Sequence, residues 1–559
     1  MAAFSRRRNF AYARYLVYLA IGAVAFVVLV CLLYFTSSHF QAATSDGASV
    51  VLEGRTIANG HVLLHGWVLT AASYWTSAAM FDAVGILLVG LRAGLLYATP
   101  AVAGALAIAA GILLARDARR GGPGVAGGVA VVALLALATP EMSYLFVGHG
   151  FHVVTGALAL LAFVALRRSR FGWGWSVAVL LLTAGMLGDT LMVAFGIVPL
   201  LLAGLVAMLS ERRLRSGVVE FTAAVASVLL FRVARLVFVA LGAFRTGPSP
   251  STAPFSQIVT NLGHVPAYVA SLLGLTNAVV NSGGVPHTLR HANGFAAVYG
   301  TVAIGVLACF VHALVRLVAG LVQTRPKGRT DGGGSAAWRL DNVLVLAIVC
   351  SVVPFVMLAK RDGAGVRYLT VTAMFAVVLA GRMIARAWPE IQWRRARLCC
   401  ALAGVVLVAG LAAGFGISMS GPAPPNTVRE LDRLLSAHDL HQGIGGYWIA
   451  SLATVESNGA VTVRPVLAAQ DGGIKRQALL SSDAWYEGRK FQFVVFGAPA
   501  GYRGLRARTL PWGSPRYVHV VGPYRVLVWD HDLRVRAFGQ PETAAAGRAH
   551  ASAVHESVR

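Results

Sequence analysis

The chain is short of charge, and shorter still of carboxylates. Of its 559 residues 13% are charged, against roughly 25% in soluble globular domains. Only 23 are Asp or Glu, while 48 are Lys or Arg, nearly all of them Arg. With 57% hydrophobic residues, this composition excludes an ordinary soluble enzyme and points to a membrane protein. The formal charge of +25 does not point to nucleic acid, because the basic residues sit in short clusters between apolar runs. Cysteine is scarce too. Cys31, Cys309, Cys350, Cys399 and Cys400 lie in or beside apolar runs without metal-ligand spacing, which leaves no disulfide framework and no cysteine metal site. No internal repeat is visible, which weighs against a transporter built from repeated halves.

What is present is a series of apolar runs. About eleven are long enough to cross a bilayer, the first near 14–36 and the last near 398–420. The first is too long for a signal-peptide core and no small-residue cleavage site follows it, so it reads as a retained anchor. "SRRR", "RDARR", "RRSR", "ERRLR", "RPKGRT" and "WRRAR" all fall on one side of this series. Positive-inside bias then puts the N-terminus in the cytoplasm and, with an odd number of spans, the C-terminal segment outside. The outer loops are led by one from Ser37 to about residue 94, in which "YWTSAAMFDAVGILLVGL" reads as an interfacial helix. "HVPAYVASLLGLTNAVV" reads as a second interfacial or re-entrant piece. After the linker "GPAPPN", helical spacing in "TVRELDRLLSAHDL" and four strand-like runs predict a small α/β domain. The expected division is 1–420 membrane domain, 421–540 extracytoplasmic domain and 541–559 disordered tail.

Several residues could carry chemistry. Asp46 and Glu53 follow the first span at i and i+7, which puts both on one face if the segment is helical. Such a pair at the outer surface suits general base work on a lipid-linked substrate. The same residues also fit a helix cap at Asp46 and an ion pair of Glu53 with Arg55. His61 and His65 have metal-compatible spacing, but Gly60 and Gly66 disfavour a regular helix, so a packed interfacial turn with Trp67 is expected. Asp189 lies at the tight outer turn "GMLGDT" and either faces a polar cavity or caps the next helix. Arg232 and Arg235 share a helix face inside a span. Arg235 is about eight residues, roughly 12 Å, from the expected helix end. That is far for snorkelling and predicts a buried partner, with phosphate a good match to guanidinium. Arg367 and Tyr368 open an incoming span on the outer side, as phosphate ligands or as an interfacial anchor pair. His149 and His152 open another, and with His65 and Tyr368 could line an outer cavity; alone, each reads as a satisfied interface histidine. Gly445, Gly446, Tyr447 and Trp448 read as a turn that either stacks on a sugar or packs in the small domain's core.

Together these features resemble the GT-C superfamily of polytopic glycosyltransferases, whose donors are polyprenyl-phosphate sugars. That resemblance implies a cytoplasmic N-terminus, about eleven to thirteen spans, and a catalytic Asp in the first outer loop, where this chain has Asp46. "GHVLLHGW", "GDTLMVAFGIVPLL", "GVRYL", "GIGGYWIASLATVESNGAVTVRPV" and "YRVLVWD" are similar to a group of bacterial membrane proteins from GC-rich genomes. Two departures stand out. Asp46 is followed by Gly47 rather than a second acid, and Ala78 stands near "YWTSA" where the resemblance leads one to expect an acidic residue. They leave open a changed acceptor or lost activity.

The expectation is therefore an all-α, GT-C-like protein of a bacterial plasma membrane with a small outer α/β domain. It would pass a sugar from a polyprenyl-phosphate donor to an envelope glycan, lipid or protein. Asp46 would be the base, and Arg232, Arg235 and Arg367 would hold phosphate. Glu53 and Asp189 would serve the acceptor side or a divalent cation. A flippase or transporter of a lipid-linked glycan, or a non-catalytic envelope scaffold, are the alternatives.

Overall fold

The computed structural model describes residues 2–40, 43–119, 121–148, 151–167, 171–211, 215–248, 251–281, 293–322, 334–359, 363–468, 474–497 and 512–533. The expected tail at 541–559 lies outside them.

The chain begins with α1 (Ala2–Phe40), α2 (Ser45–Ala58), β1 (Trp67–Leu69) and α3 (Ala78–Val89). Next come α4 (Leu95–Ala118), α5 (Gly122–Ala136), α6 (Pro140–Ser143), α7 (Phe151–Leu166), α8 (Trp173–Gly188), α9 (Val198–Glu211) and α10 (Val218–Ala240). They lead to β2 (Arg245–Thr246), α11 (Phe255–Leu272), α12 (Ala278–Asn281), α13 (Ala296–Val322), α14 (Gly334–Val356), α15 (Leu369–Ala387) and α16 (Arg394–Met419). The C-terminal part holds α17 (Thr427–Ala437), β3 (Gln442–Gly445), α18 (Tyr447–Glu456) and β4 (Thr462–Ala468). It finishes with β5 (Ile474–Arg476), β6 (Ser481–Ser482), β7 (Phe493–Gly497), β8 (Tyr517–Val521) and β9 (Tyr524–Val528).

Among the described residues, eight helices are long and apolar enough to cross a membrane, or nine if the bent pair Gly122–Ala136 and Pro140–Gly148 is one span. The sequence count of about eleven includes α7 and α8, which are apolar but only 16 residues each, below the roughly 20 residues a perpendicular span needs. The 84° bend has a local cause. Pro140 has no N–H to give to the preceding turn, and the Thr139 hydroxyl restarts the helix by accepting from the Met142 N–H at 3.1 Å.

The segments predicted to lie outside meet at one end of the bundle. Tyr74 N–H donates to the Gly188 carbonyl at 2.6 Å. A small sheet in the order β2-β1-β6 stitches together three chain-distant pieces, β1 and β2 in parallel and β1 and β6 antiparallel. Helix ends beside the arginine-rich loops meet at the other end, where Arg339 pairs with Glu211 at 3.4 Å. α3 lies at the outer end as expected of an interfacial helix: Ala78, Ala79 and Ala83 are buried, while Val84, Leu87 and Leu88 are exposed.

The C-terminal part carries a six-stranded sheet ordered β5-β4-β3-β7-β9-β8. β4, β3 and β7 are parallel, and α18 makes the crossover from β3 to β4. Its core is shared. Val51 and Leu52 of α2 and Trp67 of β1 belong to one buried cluster with Leu431, Ile449 and Val463 of the C-terminal part. α2 is therefore packed between α3 and α18. On one side Gly54 permits the approach, since a Cβ there would lie 2.6 Å from the Asp82 Cβ. On the other, the Ser49 hydroxyl donates to Ser451 at 3.1 Å in a buried contact.

Candidate active site

The site is built around the N-terminus of α2. Thr44, in an extended conformation, is the helix cap, and its hydroxyl accepts from the Gly47 N–H. Asp46, read from the sequence as a possible cap of this helix, is left free of that role. It sits in the first turn, where the helix dipole favours a negative charge. Its Oδ1 accepts a hydrogen bond from the Tyr447 hydroxyl at the start of α18. Burial, and then the Asp46 charge, push the Tyr447 phenol far above its ordinary range, so it stays a donor. The glycine-flanked aromatic pair of the sequence is thus a strand-to-helix turn that delivers Tyr447 to Asp46.

Across from Asp46 lies the loop before α3. Ser73 donates to the Leu187 carbonyl at 3.0 Å, and Thr76 donates to Ala184 at the end of α8. This clamp holds Tyr74 at φ 52°, a left-handed conformation that costs energy for a residue with a bulky side chain. Burial raises the Tyr74 phenol well above its usual range. Asp189 adds to that rise, Arg367 opposes it, and Tyr368 and Asp46 add smaller increments. Tyr74 therefore lies within electrostatic reach of two carboxylates and a guanidinium contributed by three different segments.

Asp189 is fully buried and is the hub of the inner wall. Its Oδ2 accepts from Thr155 at 2.8 Å and meets His152 Nδ1 at 3.0 Å, while its Oδ1 accepts from the Leu191 N–H at 3.0 Å. It follows the end of α8, and its side chain bonds the backbone of the turn that leads to the next helix and the polar groups of α7. The His152 ring packs on Tyr368 at 4.8 Å between centroids and on Tyr74 at 5.9 Å. Arg367 is half-buried, within range of the Asp46 charge. Its Nε is buried with no hydrogen-bond partner among the described residues.

Glu53 points elsewhere. It is fully buried, and neither carboxylate oxygen has a hydrogen-bond partner among the described residues. Arg55, the partner considered from sequence, is exposed. Burial drives the Glu53 carboxyl well up, and Asp82 of α3 raises it further. Asp82 itself accepts from Thr99 and is pushed up to about 8 by burial. Asp82 stands one helical turn beyond Ala78, the place where the sequence comparison led one to expect an acid. It was legible as the one carboxylate inside an apolar helix.

Other predicted residues stand apart. Arg232 and Arg235 are exposed on the second half of α10, beside exposed Leu229, Val233 and Leu236. The buried partner expected for them is not found among the described residues. α10 ends at Ala240, five residues after Arg235 or about 7.5 Å by helical rise, which is within snorkelling reach. His65 is exposed, and its Nδ1 bonds the Gly242 carbonyl at 2.7 Å, away from the cluster. His149 lies outside the described residues. Among those residues no group of three or more His, Cys, Asp or Glu could hold a metal. Glu53 lies beside the Asp82 charge and Asp189 bonds His152 and Thr155, so the two do not fit a shared cation.

The fold of the chain is similar to that of a solved structure. The likeness in fold rests on ArnT from Cupriavidus metallidurans in its apo state, with a TM-score of 0.52 at 14% identity, covering 94% of this chain and 100% of that one. ArnT bound to undecaprenyl phosphate aligns with a TM-score of 0.44 at 14% identity, over 93% of this chain and 99% of that one. The archaeal oligosaccharyltransferase AglB from Archaeoglobus fulgidus, in complex with an inhibitory peptide and a dolichol-phosphate, reaches 0.42 at 11% identity, over 84% of this chain and 69% of that one. No family model and no curated protein sequence matches the chain.

Proposed function

We propose that the protein is a multi-pass plasma-membrane glycosyltransferase that moves a sugar from a polyprenyl-phosphate donor to an acceptor on the extracytoplasmic side. The observation that carries this reading is the meeting of Asp46, Arg367, Tyr74 and the Asp189–His152 pair at the outer end of the bundle. The lipid phosphates in the solved ArnT and AglB structures are consistent with it.

In this scheme Asp46 takes the proton of an acceptor hydroxyl. The hydroxyl oxygen forms a bond to the anomeric carbon as the bond from that carbon to the phosphate oxygen breaks. The leaving polyprenyl phosphate carries the new negative charge, which the Arg367 guanidinium stabilises. Tyr447 fixes the orientation of the base, and Asp189 fixes the His152 ring against Tyr368. Arg232 and Arg235, on the lipid-exposed part of α10, suit contact with anionic headgroups rather than with the reacting phosphate.

The test is transfer from a panel of synthetic polyprenyl-phosphate sugars in proteoliposomes. Asp46→Asn should slow transfer by about 10²- to 10⁴-fold, the usual contribution of a positioned base, while carrier binding measured by native mass spectrometry is retained. Undiminished transfer by Asp46→Asn would remove the base assignment. Movement of carrier between leaflets without cleavage would favour a flippase.

A further inference from the structure

A polar cavity lies on the side of α2 away from Asp46. It has a volume of about 320 Å³ and sits between the second half of α2 and the C-terminal sheet. Asp46 and Glu53 share one face of α2, whereas the cavity residues Arg55 and Asn59 lie about half a turn around, and Arg55 is some 13 Å further along by helical rise. The cavity belongs to neither the Asp46 cluster nor the Glu53–Asp82 pair.

Its lining is cationic. Arg55, Arg464 and Arg489 contribute three guanidiniums, Thr462 and Asn59 add neutral polar groups, and no carboxylate lines it among the described residues. Arg464 is the fixed element. Its guanidinium stacks 4.3 Å from the centroid of the Trp485 ring, which is itself braced edge-on by buried Trp67. Its Nη1 is buried with no hydrogen-bond partner among the described residues. Burial lowers the Arg464 guanidinium to about 9, and the charges of Arg55 and Arg489 add to that fall, opposed only by Tyr486. Three like charges facing one cavity repel one another, and leaving a buried guanidinium nitrogen unbonded is costly. A multiply charged oxyanion would relieve both, since its oxygens match the guanidinium fork and its charge offsets the repulsion.

We propose that this cavity is a binding site for a phosphate ester of sugar size, separate from the transfer site. The proposal does not depend on the transferase reading. An occupant would bridge Arg55 of α2 to Arg464 and Arg489 of the C-terminal part, tightening the seat of the helix that carries Asp46.

The test uses the full-length protein in neutral detergent, with calorimetry and thermal unfolding against inorganic phosphate, glucose 6-phosphate and glucose. The expected result is saturable binding of glucose 6-phosphate that weakens with salt, no binding of glucose, and a rise in melting temperature as ligand is added. Arg489→Gln, at an exposed position, and Arg464→Lys should each weaken that binding about tenfold. Asp46→Asn should leave it unchanged. Equal affinity for inorganic phosphate and glucose 6-phosphate would reduce the site to a free-phosphate site and overturn the sugar-ester assignment. The proposal as a whole fails if neither anion binds, or if binding survives both arginine variants and is lost in Asp46→Asn.

Discussion

Two groups of buried charge in this molecule are handled differently. At the end beside the arginine-rich loops, Arg382 is fully buried, yet its Nε donates to Asp341 at 2.8 Å and its Nη1 to the Leu114 carbonyl. Arg386 donates to the other oxygen of the same carboxylate. α4, α14 and α15 are locked there by a closed set of bonds. At the outer end, Glu53, Arg367 and Arg464 each keep buried atoms without hydrogen-bond partners among the described residues. A satisfied cluster holds helices together, whereas an unsatisfied one raises the energy of the empty protein and falls when a ligand arrives.

The largest effect should come from opening the closed cluster. Asp341→Ala removes the carboxylate that Arg382 and Arg386 share and should cost about 3–5 kcal/mol of stability. Arg367→Gln, at a side chain that already lacks one partner, should cost about 1 kcal/mol or less while abolishing carrier binding. Melting temperatures of the two variants in one detergent make the comparison. If Arg367→Gln proved as destabilising as Asp341→Ala, the division into closed and open clusters would collapse.

The sequence made parts of this arrangement readable and hid others for definite reasons. Apolar runs report solvent residue by residue, so the bundle was legible; the arginine-rich loops predict which of its ends faces the cytoplasm. Asp46, Asp189 and Arg367 were legible because a charge beside a span is costly without a role. Tyr447 was not, because its contact with Asp46 crosses 401 positions, and no local spacing records such a meeting. Tyr74 was hidden for the same reason, since its role depends on a clamp to α8. Arg232 and Arg235 misled because the expected helix end lay beyond Ala240, which turned snorkelling side chains into apparently buried ones.

The Glu53–Asp82 pair offers a pH-dependent view of the open end. Asp82 releases its proton at about 8 in the folded protein and near 4 when unfolded. Folding therefore takes up a proton between these values. The favourable state is fully present below the unfolded value and is lost as pH rises through the folded one. Stability should fall by up to about 1.4 kcal/mol per pH unit for each such proton. Asp82→Asn removes one titrating group and should flatten the decline in melting temperature from pH 5 to 8, with Glu53 accounting for what remains. Parallel profiles for both proteins would mean that the pair is not protonated in the fold.

The smallest effect isolates the link between the two outer parts. Tyr447→Phe deletes one hydroxyl and leaves the ring in the core shared by α2 and α18. Loss of a single hydrogen bond should cost about 1 kcal/mol of stability. If Tyr447 only packs, transfer should change no more than stability does. If it orients Asp46, kcat should fall about tenfold with KM unchanged, the pattern of an interaction used in the transition state and not in substrate binding. Proteoliposome kinetics separate the two cases. A rise in KM alone would move Tyr447 out of the base's support and into acceptor contact.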